Sequence, residues 1–141
     1  EGWLLHQSGK DMTTFDADQW TPSFAFEYFA TAHHQLRLSF QWVGIKAVEQ
    51  DFYRVPDTPG DLIAGPKPPG PSDNFSISDM VVQLRYRWEL APLSDIFIVY
   101  TRAADTSAPL RDDDFDDLLS RAWNRPIGDQ LVFKIRYRFG S

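Results

Sequence analysis

Arginine and lysine recur at every second position in two stretches of this chain: Arg85 and Arg87 followed by Glu89, and Lys134, Arg136 and Arg138. Arg37 stands in a third stretch of the same type. Side chains two apart on an extended chain point the same way, so each set forms a charged row on one strand face. Arranged around an enclosed space, such rows build a cationic wall, and rings of Arg and Lys select anions. Paired with carboxylates such as Glu27 and Glu89, the same rows would only fill a hydrated interior. A second candidate is acidic: Asp105, Asp112, Asp113, Asp114, Asp116 and Asp117 crowd one stretch. Hard cations take oxygen ligands, which makes Asp112, Asp113, Asp114 and Asp116 the candidates should a cation be held. Their spacing lacks the glycine and the final glutamate of an EF-hand, so the expectation is a solvated acidic loop with no metal and no cofactor. The three histidines are His6, His33 and His34. Adjacent residues of a strand or turn point apart, so joint chelation by His33 and His34 is awkward. No serine lies in a nucleophile-elbow sequence, no catalytic residue is assigned, and a non-enzymatic protein is expected.

Strands must position these rows. Alternation of apolar with polar residues predicts five of them, at about 20–29, 36–53, 75–90, 96–101 and 131–139. In the last, Leu131, Phe133, Ile135, Tyr137 and Phe139 alternate with Val132, Lys134, Arg136 and Arg138. One face is greasy and the other cationic. Met80, Val82, Leu84, Tyr86, Trp88 and Leu90 alternate with Gln83, Arg85, Arg87 and Glu89 in the same manner. The phase slips at Val43-Gly44-Ile45, where a glycine inside a strand suggests a bulge. The stretch 96–101 is apolar on both faces and receives no side from pattern alone. A short amphipathic helix is expected over 116–123, and the segment before Trp20 holds either one more strand or the end of an external loop.

The connections alternate in length. Residues 31–35 and 91–94 are short turns, whereas the loops near 55–74 and 105–128 are long, the first rich in Pro and Gly and the second acidic. Outer-membrane barrels have short periplasmic turns and long extracellular loops, and with a periplasmic C-terminus all four connections fall on the expected side. Trp20, Trp88, Tyr28, Phe29, Tyr53, Tyr100 and Tyr137 lie near strand ends, as aromatic girdles require; Trp42, in mid-strand, fits neither girdle. The aromatic end of the last strand, Tyr137 and Phe139, resembles the signal that barrel-assembly machinery reads.

Composition agrees. An aromatic share of 15% points to strands. A net charge of −6 argues against nucleic-acid binding, and the absence of cysteine removes disulfides and Cys-based zinc sites. No run of about 18 apolar residues exists, which excludes a transmembrane helix. The chain begins at Glu1 with no visible leader, so the expectation is a processed product or part of a longer chain.

Several stretches carry a resemblance. Phe52 to Asp61, Phe75-Ser-Ile-Ser, and the Arg-Trp-Glu-x-x-Pro-x-Ser-Asp-x-Phe pattern from Arg87 to Phe97 are similar to the domain-of-unknown-function 5916 family. So is the ending Lys134-Ile-Arg-Tyr-Arg-Phe. The resemblance implies a secreted protein with a carbohydrate-binding-like domain followed by an outer-membrane barrel, of which this chain matches the end. The carbohydrate-binding part has no counterpart here, so sugar binding passes to no residue.

The fold expected is thus all-β: an antiparallel up-and-down transmembrane β-barrel, with residues 1–141 supplying its C-terminal strands, about five or six. Membrane barrels need about eight strands to close, so upstream strands of the same barrel, or copies of the chain, complete it. The expected role is a non-enzymatic channel, scaffold or structural subunit of an envelope complex in the bacterial outer membrane. Outer-membrane lipids, the assembly machinery and other envelope proteins are the expected partners. The alternatives are a soluble β-barrel or sandwich binding a small or carbohydrate ligand, and a membrane-embedded hydrolase.

Overall fold

The computed structural model describes residues 2–110 and 114–139. Among these, the chain forms β1 (Gly2–Ser8), β2 (Asp11–Trp20), β3 (Ser23–Thr31), β4 (His34–Arg54), β5 (Ile63–Gly65), β6 (Phe75–Ala91), β7 (Ser94–Pro109), α1 (Phe115–Asn124) and β8 (Gly128–Arg136). All strands join one antiparallel sheet. β2 and β3 both pair with β4, Trp20 lying opposite Gly44 and Ser23 opposite Gln41. They are one long strand interrupted at Thr21–Pro22. Pro22 has no N–H to donate, but its carbonyl accepts from the Trp42 N–H at 3.1 Å, so the ladder survives the break. β5 takes the edge of β4 beyond the reach of β6. The sheet is therefore six columns wide, each column paired with the next in chain order. This is the up-and-down order expected, but among the described residues β1 and β8 have open edges and the sheet does not close into a barrel.

The long strands exceed ordinary ones. β4 has 21 residues, β6 17 and β7 16, against about 5–6 in a typical globular strand. At about 3.3 Å per residue β4 is about 70 Å long. Two-residue turns join β3 to β4 at Ala32–His33 and β6 to β7 at Pro92–Leu93. The second places Pro first and a positive φ second, where glycine is usual; Leu93 adopts φ 64° there.

Pairing register sorts the side chains into cross-strand rows. Phe26, Leu38, Leu84, Tyr100 and Leu131 form one row across five strands. Tyr28, Leu36, Tyr86, Ile98 and Phe133 form the next, and His34, Trp88, Ile96 and Ile135 the one below. This is the apolar face. The opposite face carries Glu27, Arg37, Arg85, Val99 and Val132 in one row and Phe29, Gln35, Arg87, Phe97 and Lys134 in another. The stretch 96–101 is now resolved: Ile96, Ile98 and Tyr100 join the apolar face, Phe97 and Val99 the polar one.

The helix closes one end of the apolar face. Its Leu118 and Ala122 are buried against Trp42, Met80 and Ala104. The Trp42 indole N–H donates to Ser78 Oγ at 2.8 Å, and that hydroxyl donates to the Leu118 carbonyl at 2.9 Å. Phe115 meets Trp42 and Trp20 edge to face. Trp42, which fitted neither of the expected aromatic girdles, is the seat of α1. Gly44 also has a role other than the one its position suggested. Pairing with β6 runs unbroken through Val43, Gly44 and Ile45, so there is no bulge. A Cβ at Gly44 would lie 2.7 Å from the Trp42 ring and 3.1 Å from Phe115, so glycine makes room for the indole under the helix. The apparent phase slip arises because apolar residues change faces here. Beyond the helix Ile45 and Ala47 join Phe15, Ala17 and Phe75 in a small cluster on the polar side. The register of β4 shifts instead against β2 between Thr13 and Phe15 and against β3 between Phe29 and Thr31.

Candidate functional site

The polar face owes its charge to alternation on β4, β6 and β8, and the register brings those charges together. Arg37 and Arg85 are direct cross-strand neighbours, as are Gln35 and Arg87, and Phe97 and Lys134. Around them lies a groove of about 350 Å³, lined by Gln35, Arg37, Arg85, Arg87 and Lys134 over Phe97, Val99 and Val132. A second hollow of about 180 Å³ lies against the same two arginines with Ser39 and Gln83. By register Arg37, Arg85, Arg87, Glu89, Lys134 and Arg136 lie on one face of the sheet, and Arg138 follows the last paired residue of β8.

One residue essential to this arrangement was not singled out in the sequence. Asp95 is fully buried at the start of β7. Arg87 Nε donates to Asp95 Oδ1 at 2.9 Å, and Arg136 takes the other carboxylate oxygen. A buried carboxylate must be paired to tolerate its desolvation, and two guanidinium groups serve it here. Asp95 directly follows the Pro92–Leu93 turn and Ser94, whose hydroxyl accepts the Arg138 N–H at 3.1 Å. A lone carboxylate just after a turn between two Arg-bearing strands was the available signal. Glu89 lies 3.9 Å from both Arg87 and His33, and Glu27 accepts from Gln35. Arg37, Arg85 and Lys134 have no side-chain ion pair or hydrogen bond with a described residue.

The other candidates part company. Asp112 and Asp113 lie outside the described residues, as does the side chain of His6. Asp114 is the N-cap of α1, its N–H donating to Asp117 Oδ2 at 3.2 Å, and Asp116 is exposed in the first helical turn. Acidic side chains at a helix N-terminus need no metal to explain them. Among the described residues no group of three His, Cys, Asp or Glu is placed to hold a metal ion. His34 Nδ1 is 2.7 Å from the Tyr86 hydroxyl and its ring stacks on Trp88, on the apolar face; His33 faces Glu89 on the other. The two histidines do not converge. Of the terminal aromatics, Tyr137 and Phe139 follow the last regular residue of β8 and meet edge to face, with Phe139 88% exposed.

Two carboxylates on the long strand extensions have shifted affinities for protons. Burial alone would raise the Glu49 carboxyl, but the hydrogen bond from Lys67 at 2.6 Å, with Asp73 N–H and Ser72, holds it below its ordinary value. These bonds fasten the loop near 55–74 onto β4. Asp79 is pushed up by burial and by Asp105 directly opposite.

An antiparallel meander with one apolar and one cationic face is what fold and site define. The chain belongs to the family described as Domain of unknown function (DUF5916), whose model matches residues 2–139. No curated protein and no solved structure matches it significantly.

Proposed function

We propose that this chain forms part of the wall of a non-enzymatic outer-membrane β-barrel, its apolar face toward lipid and its cationic face toward a wet lumen. One observation carries the reading. Nine of the twelve exposed large apolar residues of β3, β6 and β8 (Phe24, Phe26, Tyr28, Leu84, Trp88, Leu90, Leu131, Phe133 and Ile135) fall on one face, and Phe29, Val81 and Val132 lie on the other. A face of this extent in water calls for a cover, and lipid is the cover that alternation of this kind fits. On β6 the apolar alternation runs from Met80 to Leu90; α1 covers Met80 and packs on Val82, which leaves the stretch from Leu84 to Leu90 to face lipid. The excess length of β4, β6 and β7 then projects beyond the bilayer, where α1 and the loop near 55–74 pack. Open edges at β1 and β8 are untenable in lipid, so further strands or copies of the chain complete the wall. Barrel-assembly machinery and outer-membrane lipids are its partners in this reading, and channel or scaffold its role.

A second reading has one observation in its favour. α1 packs on the apolar face, as a soluble protein would cover such a surface. Topology separates the two. Under the barrel reading a cysteine at Gly65 reacts with a membrane-impermeant thiol reagent on intact cells, and one at Pro92 does not. Equal labelling of both, in protein extracted without detergent, favours the soluble sheet.

A further inference from the structure

We infer that the polar face holds a small oxyanion, such as phosphate, sulfate or a carboxylate group, between Arg37, Arg85 and Lys134. Directly opposed residues of neighbouring strands have Cβ atoms about 4.5–5.5 Å apart, and like charges there are destabilising. Arg37 and Arg85 are such a pair. A carboxylate between them would relieve the repulsion, yet neither arginine has an ion pair with a described residue. Asp95 serves Arg87 and Arg136, and Glu27, cross-strand from Arg37, accepts from Gln35. Lys134 brings a third positive charge to the same groove of about 350 Å³. Its side walls include Val99 and Val132, and a floor of low polarity strengthens charge–charge attraction. Guanidinium forks match oxyanions in bidentate geometry, so one bound anion turns a repulsive pair into a bridged one. Asp95 has a part in this as a positioning residue: it holds Arg136 and neutralises Arg87 at the edge of the groove, which leaves Arg37, Arg85 and Lys134 as its unpaired cations.

The site needs only that this face be wet, so it stands or falls separately from the membrane reading. The test is thermal melting of the full-length protein in the medium that keeps it folded, detergent or buffer, with phosphate titrated against chloride at constant ionic strength. Phosphate should raise Tm saturably by several degrees. Arg85→Gln should raise Tm in phosphate-free buffer, because the opposed charges are gone, and abolish the response to phosphate. Lys134→Gln should keep the fold and weaken the response severalfold. Arg136→Gln, which loosens the Asp95 clamp, should lower Tm while leaving the response in place. A wild-type Tm indifferent to phosphate overturns the proposal. So does an Arg85→Gln protein that melts lower without phosphate, since its arginine then had a carboxylate partner on some other strand.

Discussion

Phe133→Arg distinguishes lipid from water at the apolar face by magnitude alone. Phe133 is 59% exposed and pairs across the strands with Ile98, between Leu131 and Ile135 on β8. In water the substitution removes one aromatic–aliphatic cross-strand pair, about 0.2–1 kcal/mol, and is otherwise a surface change within about 0.5 kcal/mol. In a bilayer the arginine adds about 2–4 kcal/mol near the midplane, falling toward about 0–1 kcal/mol at the interface. The two media therefore differ by roughly 30- to 1000-fold in folding equilibrium. Depth supplies an internal check. One row above Leu131 lie Asp129 and Arg102, 3.5 Å apart, with the guanidinium under Trp123. Such a row belongs at the bilayer boundary, so Leu131→Arg should cost less than Phe133→Arg. Arg85→Leu, on the opposite face, should cost little in either medium. The assay is urea unfolding in phospholipid vesicles, read from the heat-modifiable band on gels. A Phe133→Arg cost below about 1 kcal/mol, with no gradient along β8, would refute the reasoning.

Four further outcomes are expected. Trp42→Ala removes the seat of α1 and should cost about 3–5 kcal/mol while exposing the helix to proteolysis; an unaltered digestion pattern would sink the packing account. Glu49 titrates below its ordinary range in the folded protein, so its stabilisation is fully present above the unfolded carboxylate value and is lost as pH falls through the folded one. A fluorophore at Gly65 should therefore report release of the loop on acidification, and Glu49→Gln should leave it released at neutral pH; Asp79→Asn should act oppositely, stabilising at neutral pH. Phe139→Ala should reduce the yield of protease-resistant protein in outer-membrane fractions, and wild-type yield would remove the assembly role assigned to that aromatic.

Where one face of a strand is uniformly apolar, as in 131–136 and 80–90, period-two alternation alone gives strand, face and charged row. The helix over 115–124 was legible for a similar reason, its acidic start and apolar stripe standing apart from the alternation around it. Legibility fails where the apolar side changes. Phe15 and Ala17 face the polar side of the sheet while Asp16 and Asp18 face the other, so β2 looks like an acidic loop. β7 continues to Pro109 through small residues such as Ala103, Ala104 and Ser107, which carry no strand signal of their own; Ala104 lets α1 approach closely. Pro22 hides the continuity of β2 with β3, because a proline normally ends a ladder and here only its carbonyl is needed. Asp95, present in the family pattern, received no site role because its importance comes from two guanidinium groups, eight and 41 residues away in sequence, that only the register brings to it.

The central claim, lipid on one face and water on the other, is tested most directly by scanning single nitroxide labels along residues 81–88 of β6 in reconstituted vesicles. Collision with apolar oxygen should peak at 84, 86 and 88, which α1 leaves bare, and collision with a water-soluble nickel complex at 83, 85 and 87, two curves of period two in antiphase. Nickel collisions equally frequent at Leu84 and Arg85, with no alternation between them, would contradict it.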